Sequence, residues 1–296
     1  MSWDGVVRLR GETLGSLAAR HGGQVVSGAS FAPARIAPVD VAGADAVAPL
    51  LGPRWLRAAH AAASRGAALL VDASLATRAP ASGPLWLHEH ASWAMAALLD
   101  DAMAPDLAPS VGDGCSIAAS ATLGPRVVVG SRVRIGPGSV IGHPGFGWAT
   151  GPRGAVRAIP QLGGVWIEDD VSIGPLCTID AGTLAPTRVR RGAKLDAHVH
   201  VGHNGDIGDG AMIAAQCGFA GSVIIGREAL VGGQVGIADH VHVGDRARIA
   251  AKSGVIGDVP AGAVMAGYPA VPRARWLRAL AALYRAIPGR RAGPVD

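Results

Sequence analysis

VRRGAKLDAHVHVGHNGDIGDGAMIAAQCGFAGSVIIGREALV, residues 189 to 231, beats in sixes. Val189, Leu195, Val201, Ile207, Ile213, Phe219, Ile225 and Val231 hold one phase, and Ile237, Val243, Ile249 and Val255 continue it. Upstream, Val111, Ile117, Leu123, Val129, Ile135 and Ile141 keep the same spacing, as do Ile167, Ile173 and Ile179. Four residues beyond many of these stands a second small or branched residue, such as Val199, Ala211, Cys217, Val223 and Val235. Six is too long for a helical turn and too regular for loops. It fits one flat side of a triangular β-solenoid, with the aliphatic residue pointing inward and a small neighbour permitting the corner. Three sides close a coil, and coils stack at ~4.8 Å. The three runs hold six, three and twelve repeats, seven coils in all.

Two interruptions break the beat. Residues 142–164 form a Gly- and Pro-rich excursion, and AGTLAPT at 181–187 pushes the phase on by four. Loops leaving a rigid prism are natural substrate walls, with tolerated insertion as the plainer alternative.

Composition agrees with small stacked units. Apolar residues make up 49% of the 296, aromatics only 4%, and Gly occurs 43 times. No apolar run reaches the ~18 residues of a membrane helix, and the N-terminus lacks a signal-peptide stretch, so a cytoplasmic protein without a transmembrane segment is expected. Cys115, Cys177 and Cys217 fall at repeat positions that favour small residues and read as buried free thiols. The net charge of +5 is modest, and Lys occurs only at 194 and 252. Arginines gather near the C-terminus, which suggests an acidic partner rather than nucleic acid.

Residues 1–104 lack the beat. ETLGSLAARHG, PRWLRAAHAAASRG and ASWAMAALLDDAM read as helices and AALLVD as a buried strand, so a small α/β domain is expected, with APDLAPS as the hinge. Residues 105–268 form the prism, and 269–296 a C-terminal helix and tail. In that helix Trp276, Leu277, Leu280, Leu283, Tyr284 and Ile287 share a face, with Arg273, Arg275, Arg278 and Arg285 near it and Arg290 and Arg291 beyond. It reads as a helix packing on its neighbours, and compatibly as a docking site for an acidic carrier.

Coil stacking places the histidines. Eighteen residues beyond His203 is Gly221, and eighteen more reach Asp239, beside His240. An imidazole, an exposed backbone N–H and a second polar side chain therefore line one edge. That set suits acyl transfer to an amine: an imidazole is suited to taking the proton and a backbone N–H can stabilise the oxyanion. A metal site is the competing reading for HVHVGH at 198–203, a spacing used by γ-class carbonic anhydrases. Its third histidine, two coils earlier, is missing near Leu162, so no metal is expected. His198, His200 and His242 read as surface or subunit-interface groups.

From residue 110 onward the chain resembles the UDP-3-O-(3-hydroxyacyl)glucosamine N-acyltransferases of lipid A biosynthesis. The matching segments are GFGWA (145–149), IPQLGGVWIEDDVSIG (159–174), TIDAGTL (178–184), KLDAHVHVGHN (194–204), FAGSVIIG (219–226) and LVGGQVGIADHVHVGD (230–245). The resemblance implies a mainly β protein, a left-handed parallel β-helix with a small N-terminal α/β domain and a C-terminal helix. It implies catalytic roles for His203 as base, Gly221 as oxyanion donor, and His240 and Asp196 as orienting groups. Phe146, Asn204, Arg54 and Trp55 are the expected substrate-binding residues. It also implies a homotrimer, an acyl carrier protein carrying the acyl chain as a phosphopantetheine thioester, and no resident cofactor. The departures are equally specific. Only six repeats precede the GFG loop, and HPGFG replaces the family's SDGFG. APLLGPRW (48–55) stands where the family has a uridine-binding SFLANPKY, so its aromatic becomes Pro49 and its Asn Gly52. A CoA-dependent acetyltransferase for another amino sugar, or a trimeric scaffold without turnover, are the alternatives.

Overall fold

The computed structural model describes residues 6–268 and 272–286. Each aliphatic residue of the six-residue beat lies in a short strand, and these strands stack into three parallel sheets of seven, eight and seven. The pairs Lys194↔Met212, His200↔Gly218 and Asp206↔Ile224 fix the register at eighteen residues per coil. The fold is the expected left-handed parallel β-helix. One rung, Val264–Met265, extends the eight-stranded sheet beyond the last repeat read from the sequence.

Both apolar positions of the repeat point inward. Val201, Ile207, Val199, Ala211 and Cys217 are all buried in one continuous core that runs the length of the prism. Cys115, near the open N-terminal end, is only half-buried. Burial of this kind is the main stabilising term of a solenoid, because each coil contacts only its neighbours.

The corners differ from the expectation. The small inward residue does not make the turn by itself. A left-handed residue three beyond most of the aliphatics turns the chain: His198, Asn204, Gln216, Ser222, Glu228, Gln234, His240, Arg246 and Lys252 all have φ between 56° and 64°. Non-glycine residues in this region cost about 1–2 kcal/mol. The turns are held by coil-to-coil hydrogen bonds: Gln216 N–H donates to the Ala197 carbonyl at 2.9 Å, and Ser222 N–H to the His203 carbonyl at 2.8 Å.

The first interruption forms an antiparallel hairpin, Trp148–Thr150 against Val156–Ala158. The second ends at Thr187, which pairs with Val165 and restores the stack.

The N-terminal part is a six-stranded mixed sheet. Its strands are β1 (Val7–Arg8), β2 (Gln24–Ser27), β3 (Arg35–Ile36), β4 (Ala46–Leu50), β5 (Ala68–Asp72) and β6 (Leu85–His88), in the order β1-β3-β4-β5-β6-β2. Helices α1 (Leu14–His21), α2 (Leu56–Ser64) and α3 (Ala91–Asp101) match the sequence reading. Thr13 caps α1, its hydroxyl accepting from the Ser16 N–H at 3.2 Å. Met95, Leu98 and Leu99 of α3 share a core with Leu184, and Val128, Ile159 and Leu162 pack against it. This helix also grips the hairpin: Arg157 stacks on Trp93 at 4.8 Å and bonds Asp100 at 2.7 Å. APDLAPS is therefore tied down rather than a free hinge, since Arg126 bonds Asp106 at 2.7 Å and its N–H donates to the Leu107 carbonyl.

Helix α4 (Arg273–Ala286) has no buried residue, so the expected packing against neighbours is not made within the described chain. Its face offers Trp276, Leu277 and Tyr284 to the outside. Ile287, Arg290 and Arg291 lie outside the described residues.

Candidate active site

The corner after the strand His200–Val201 carries His203 and Asn204. Asn204 turns the chain at φ 59°, and His203 stands half-buried outside the core. The edge runs as the coil length requires: Ser222 N–H bonds the His203 carbonyl, and one coil later His240 N–H bonds the Gly221 carbonyl at 3.0 Å.

Two glycines bracket the imidazole. A β-carbon on Gly221 would lie 2.6 Å from His203 Nε2 and Cε1, and one on Gly145 would lie 2.7 Å from its Cβ. The excursion loop thus closes over one side of the ring, and the next coil presents bare backbone to the other. Among the described residues the Gly221 N–H makes no hydrogen bond. Some equivalent corner N–H groups are capped, Asp245 accepting from Arg227 at 2.8 Å and Asp169 from Ser131 at 2.9 Å, while among the described residues those of Ala215 and Gly233 are open like that of Gly221. Asp239 holds the corresponding place beside Gly221, yet it makes no such bond and its carboxylate lies 4.0 Å from His240 Nε2. An open N–H beside an imidazole is an arrangement that can receive a developing oxyanion.

Behind the ring runs a part-buried polar chain. Asn204 Nδ2 donates to His203 Nδ1 at 2.8 Å and to Thr183 Oγ1 at 3.0 Å. Asn204 Oδ1 accepts from the Thr183 N–H at 2.7 Å, and the Thr183 hydroxyl donates to Gln161 Oε1 at 2.7 Å. Gln161 Nε2 ends the chain on the Ile159 carbonyl at 3.0 Å.

Burial is the main reason the His203 imidazole titrates below its ordinary value, with nearby Asp180 opposing that shift. Asp180 is itself buried, which raises its carboxyl, while His200, His143 and His203 pull the other way. His200 Nε2 stands 3.8 Å from Asp180, and its Nδ1 meets the Thr178 hydroxyl at 2.7 Å. His240 is lowered chiefly by burial and next by the positive charge of Arg54.

Arg54 and Trp55 come from a 3-10 turn, Pro53–Trp55, after β4. The guanidinium lies over the Trp55 ring at 5.5 Å. Its positive charge is one of the causes that lower the His240 pKa. Phe146 is almost fully exposed, edge-on to Trp148 with centroids 6.2 Å apart. Its neighbour Gly145 abuts His203, so the aromatic pair flanks the imidazole.

Asp196 stands apart. Its carboxylate accepts from the Ala197 N–H at 2.8 Å, on the preceding corner, and among the described residues no contact joins it to His203. It lines a groove of about 550 Å³ over the face carrying Lys194, Met212, Leu230 and Arg248. Within the chain, Asp180 is the carboxylate near His203. Sequence reasoning assigned no role to Asp180, Gln161 or Thr183, because they lie in or next to the interruptions, where coil counting gives no positions. Among the described residues, no group of three or more His, Cys, Asp or Glu could hold a metal ion. No helix there is long and apolar enough to cross a membrane.

Residues 108–143 match the family described as bacterial transferase hexapeptide (six repeats). The UDP-3-O-acylglucosamine N-acyltransferase of Caulobacter vibrioides is 51% identical over 176 residues, 60% of this chain and 51% of that protein. The enzyme of the same name from Anaeromyxobacter dehalogenans is 46% identical over 178 residues, 58% of this chain and 50% of that one. The chain therefore spans about half the length of the curated relatives it matches. Among solved structures, the UDP-N-acetylglucosamine acyltransferase from Campylobacter jejuni shares 24% identity, covering 51% of this chain and 64% of that one, with a TM-score of 0.43. The resemblance carried by the sequence motifs thus stands: this chain is a hexapeptide-repeat, left-handed β-helix protein similar to the UDP-3-O-acylglucosamine N-acyltransferases.

Proposed function

We propose that the chain is an N-acyltransferase that moves a 3-hydroxyacyl group from an acyl carrier protein thioester to the 2-amine of a UDP-3-O-acylglucosamine-like acceptor, in the cytoplasm and as a homotrimer. The new bond joins the amine nitrogen to the acyl carbon, and the bond broken is carbon to sulfur. His203 takes the amine's proton and returns it to the departing thiolate, while the Gly221 N–H holds the oxyanion. His240 and Arg54 bring positive charge or hydrogen bonding to the acceptor side, and Phe146 and Trp55 offer ring faces. Asp196 has no part within one chain in this reading; an orienting role for it requires a neighbouring prism.

The observation that carries the proposal is the juxtaposition of His203 with an uncapped Gly221 N–H. The low pKa of the imidazole supports it, because a neutral ring is the form that accepts a proton. The name of the relatives, UDP-3-O-acylglucosamine N-acyltransferase, supports the acceptor class. Side-by-side assays with acyl carrier protein and CoA thioesters test the donor. Turnover with the carrier thioester alone is expected. Turnover with acetyl-CoA alone would assign the chain to the other enzyme class, and binding of neither would leave a scaffold.

A further inference from the structure

The polar chain behind His203 has only one direction. Its two backbone ends cannot exchange roles: the Ile159 carbonyl only accepts, and the Thr183 N–H only donates. The first fixes Gln161 with Nε2 toward Ile159, leaving Oε1 to take the Thr183 hydroxyl hydrogen. The Thr183 oxygen is then an acceptor toward Asn204 Nδ2. The second fixes Asn204 with Oδ1 toward the Thr183 N–H, and so Nδ2 toward His203. Two independent anchors give the same carboxamide orientation.

We propose that Asn204 is a positioning residue that sets the tautomer of His203, holding the ring hydrogen on Nε2. With an amide N–H pointed at it, Nδ1 must keep its lone pair, and the neutral ring's hydrogen moves to the other nitrogen. Nε2 is the atom beside Gly221. At rest, then, His203 offers an N–H donor from Nε2 on the side where the Gly221 backbone stands. This bears on the reaction only if the N-acyl transfer reading holds. In that case His203 becomes a base at Nε2 only after Nε2 gives its hydrogen to solvent water and Nδ1 takes one up, the Asn204 carboxamide turning over to offer Oδ1 to the new Nδ1–H at the loss of its bonds to Thr183. Gln161 and Thr183, which oppose that turn, belong to the same device.

Long-range proton–nitrogen spectra of the full chain labelled with ¹⁵N-histidine test the proposal without any assay of activity. The His203 signals are identified by their loss in His203→Gln. The expected result is a pyrrole-type Nε2 and a pyridine-type Nδ1 in the unsubstituted protein. In Asn204→Asp a carboxylate can only accept, so the two nitrogens are expected to exchange types. The ring should also titrate at higher pH and the acid limb of turnover should follow it. Thermal melts confirm that each variant is folded. A pyrrole-type Nδ1 in the unsubstituted protein, or unchanged nitrogen types in folded Asn204→Asp, overturns the proposal. Absence of turnover with any acyl thioester would defeat the N-acyl transfer reading and leave the tautomer result standing.

Discussion

Gly221 stands one coil beyond His203 with no room for a side chain: a β-carbon there would lie 2.6 Å from the imidazole Nε2. The backbone at Gly221 makes no left-handed turn, so this closeness to His203 is what calls for glycine there. Gly221→Ala is therefore expected to push the ring away from the free N–H while the prism stays intact. A loss of kcat/KM on the order of 10²-fold, with an unchanged far-ultraviolet circular dichroism spectrum, is the expected outcome. Full activity in this variant would remove Gly221 from the reacting centre.

Activity should fall on the acid side at a pH below the ordinary histidine value of 6.5, because burial lowers the His203 pKa. The sign for stability is the same. An unfolded chain protonates this ring near 6.5, whereas the folded chain resists until lower pH. The contribution is therefore present above 6.5 and is lost as pH falls through the folded value. A pH–rate profile of kcat/KM, read against the nuclear magnetic resonance titration of His203, checks this. An acid limb above 6.5 would point to a different titrating group.

Arg54 reaches the prism edge through its charge on His240. Arg54→Gln should raise the His240 pKa, since one of the three influences lowering it is removed. A proton titration of the His240 Cε1–H measures the shift. No change would mean that the Pro53–Trp55 turn lies farther from the edge in solution.

Phe219 is the largest side chain buried in the prism core, two residues before Gly221. Phe219→Ala is expected to cost about 3–5 kcal/mol through lost burial and an unfilled cavity. A lower urea midpoint for the prism is the readout, and a midpoint within error of the parent would contradict the packing described.

The prism was legible because its signal is periodic. Val201, Ile207 and Ile213 repeat one environment, so counting eighteen puts Gly221 and His240 on the edge of His203 from the sequence alone. What counting could not reach is set by contacts across breaks in the period. Gln161 and Thr183 lie within the interruptions, and the chain of bonds from Gln161 through Thr183 to Asn204 joins the two excursions to the corner of His203. The corners were misattributed for another reason. A left-handed φ is usually sought at glycine, yet His198, Gln216 and Lys252 adopt it because a coil-to-coil hydrogen bond holds each one. Asp196 illustrates a third limit, since a residue carried over by resemblance need not meet its partners within one chain.

The most direct test of the account is mass spectrometry of products from the full chain supplied with a 3-hydroxyacyl carrier protein and UDP-3-O-acylglucosamine. The expected result is an acceptor heavier by one 3-hydroxyacyl group on nitrogen, with formation slowed at least about 10²-fold in His203→Ala. An unmodified acceptor with the parent chain, or undiminished product in His203→Ala, would contradict the assignment of this edge as an acyl-transfer centre.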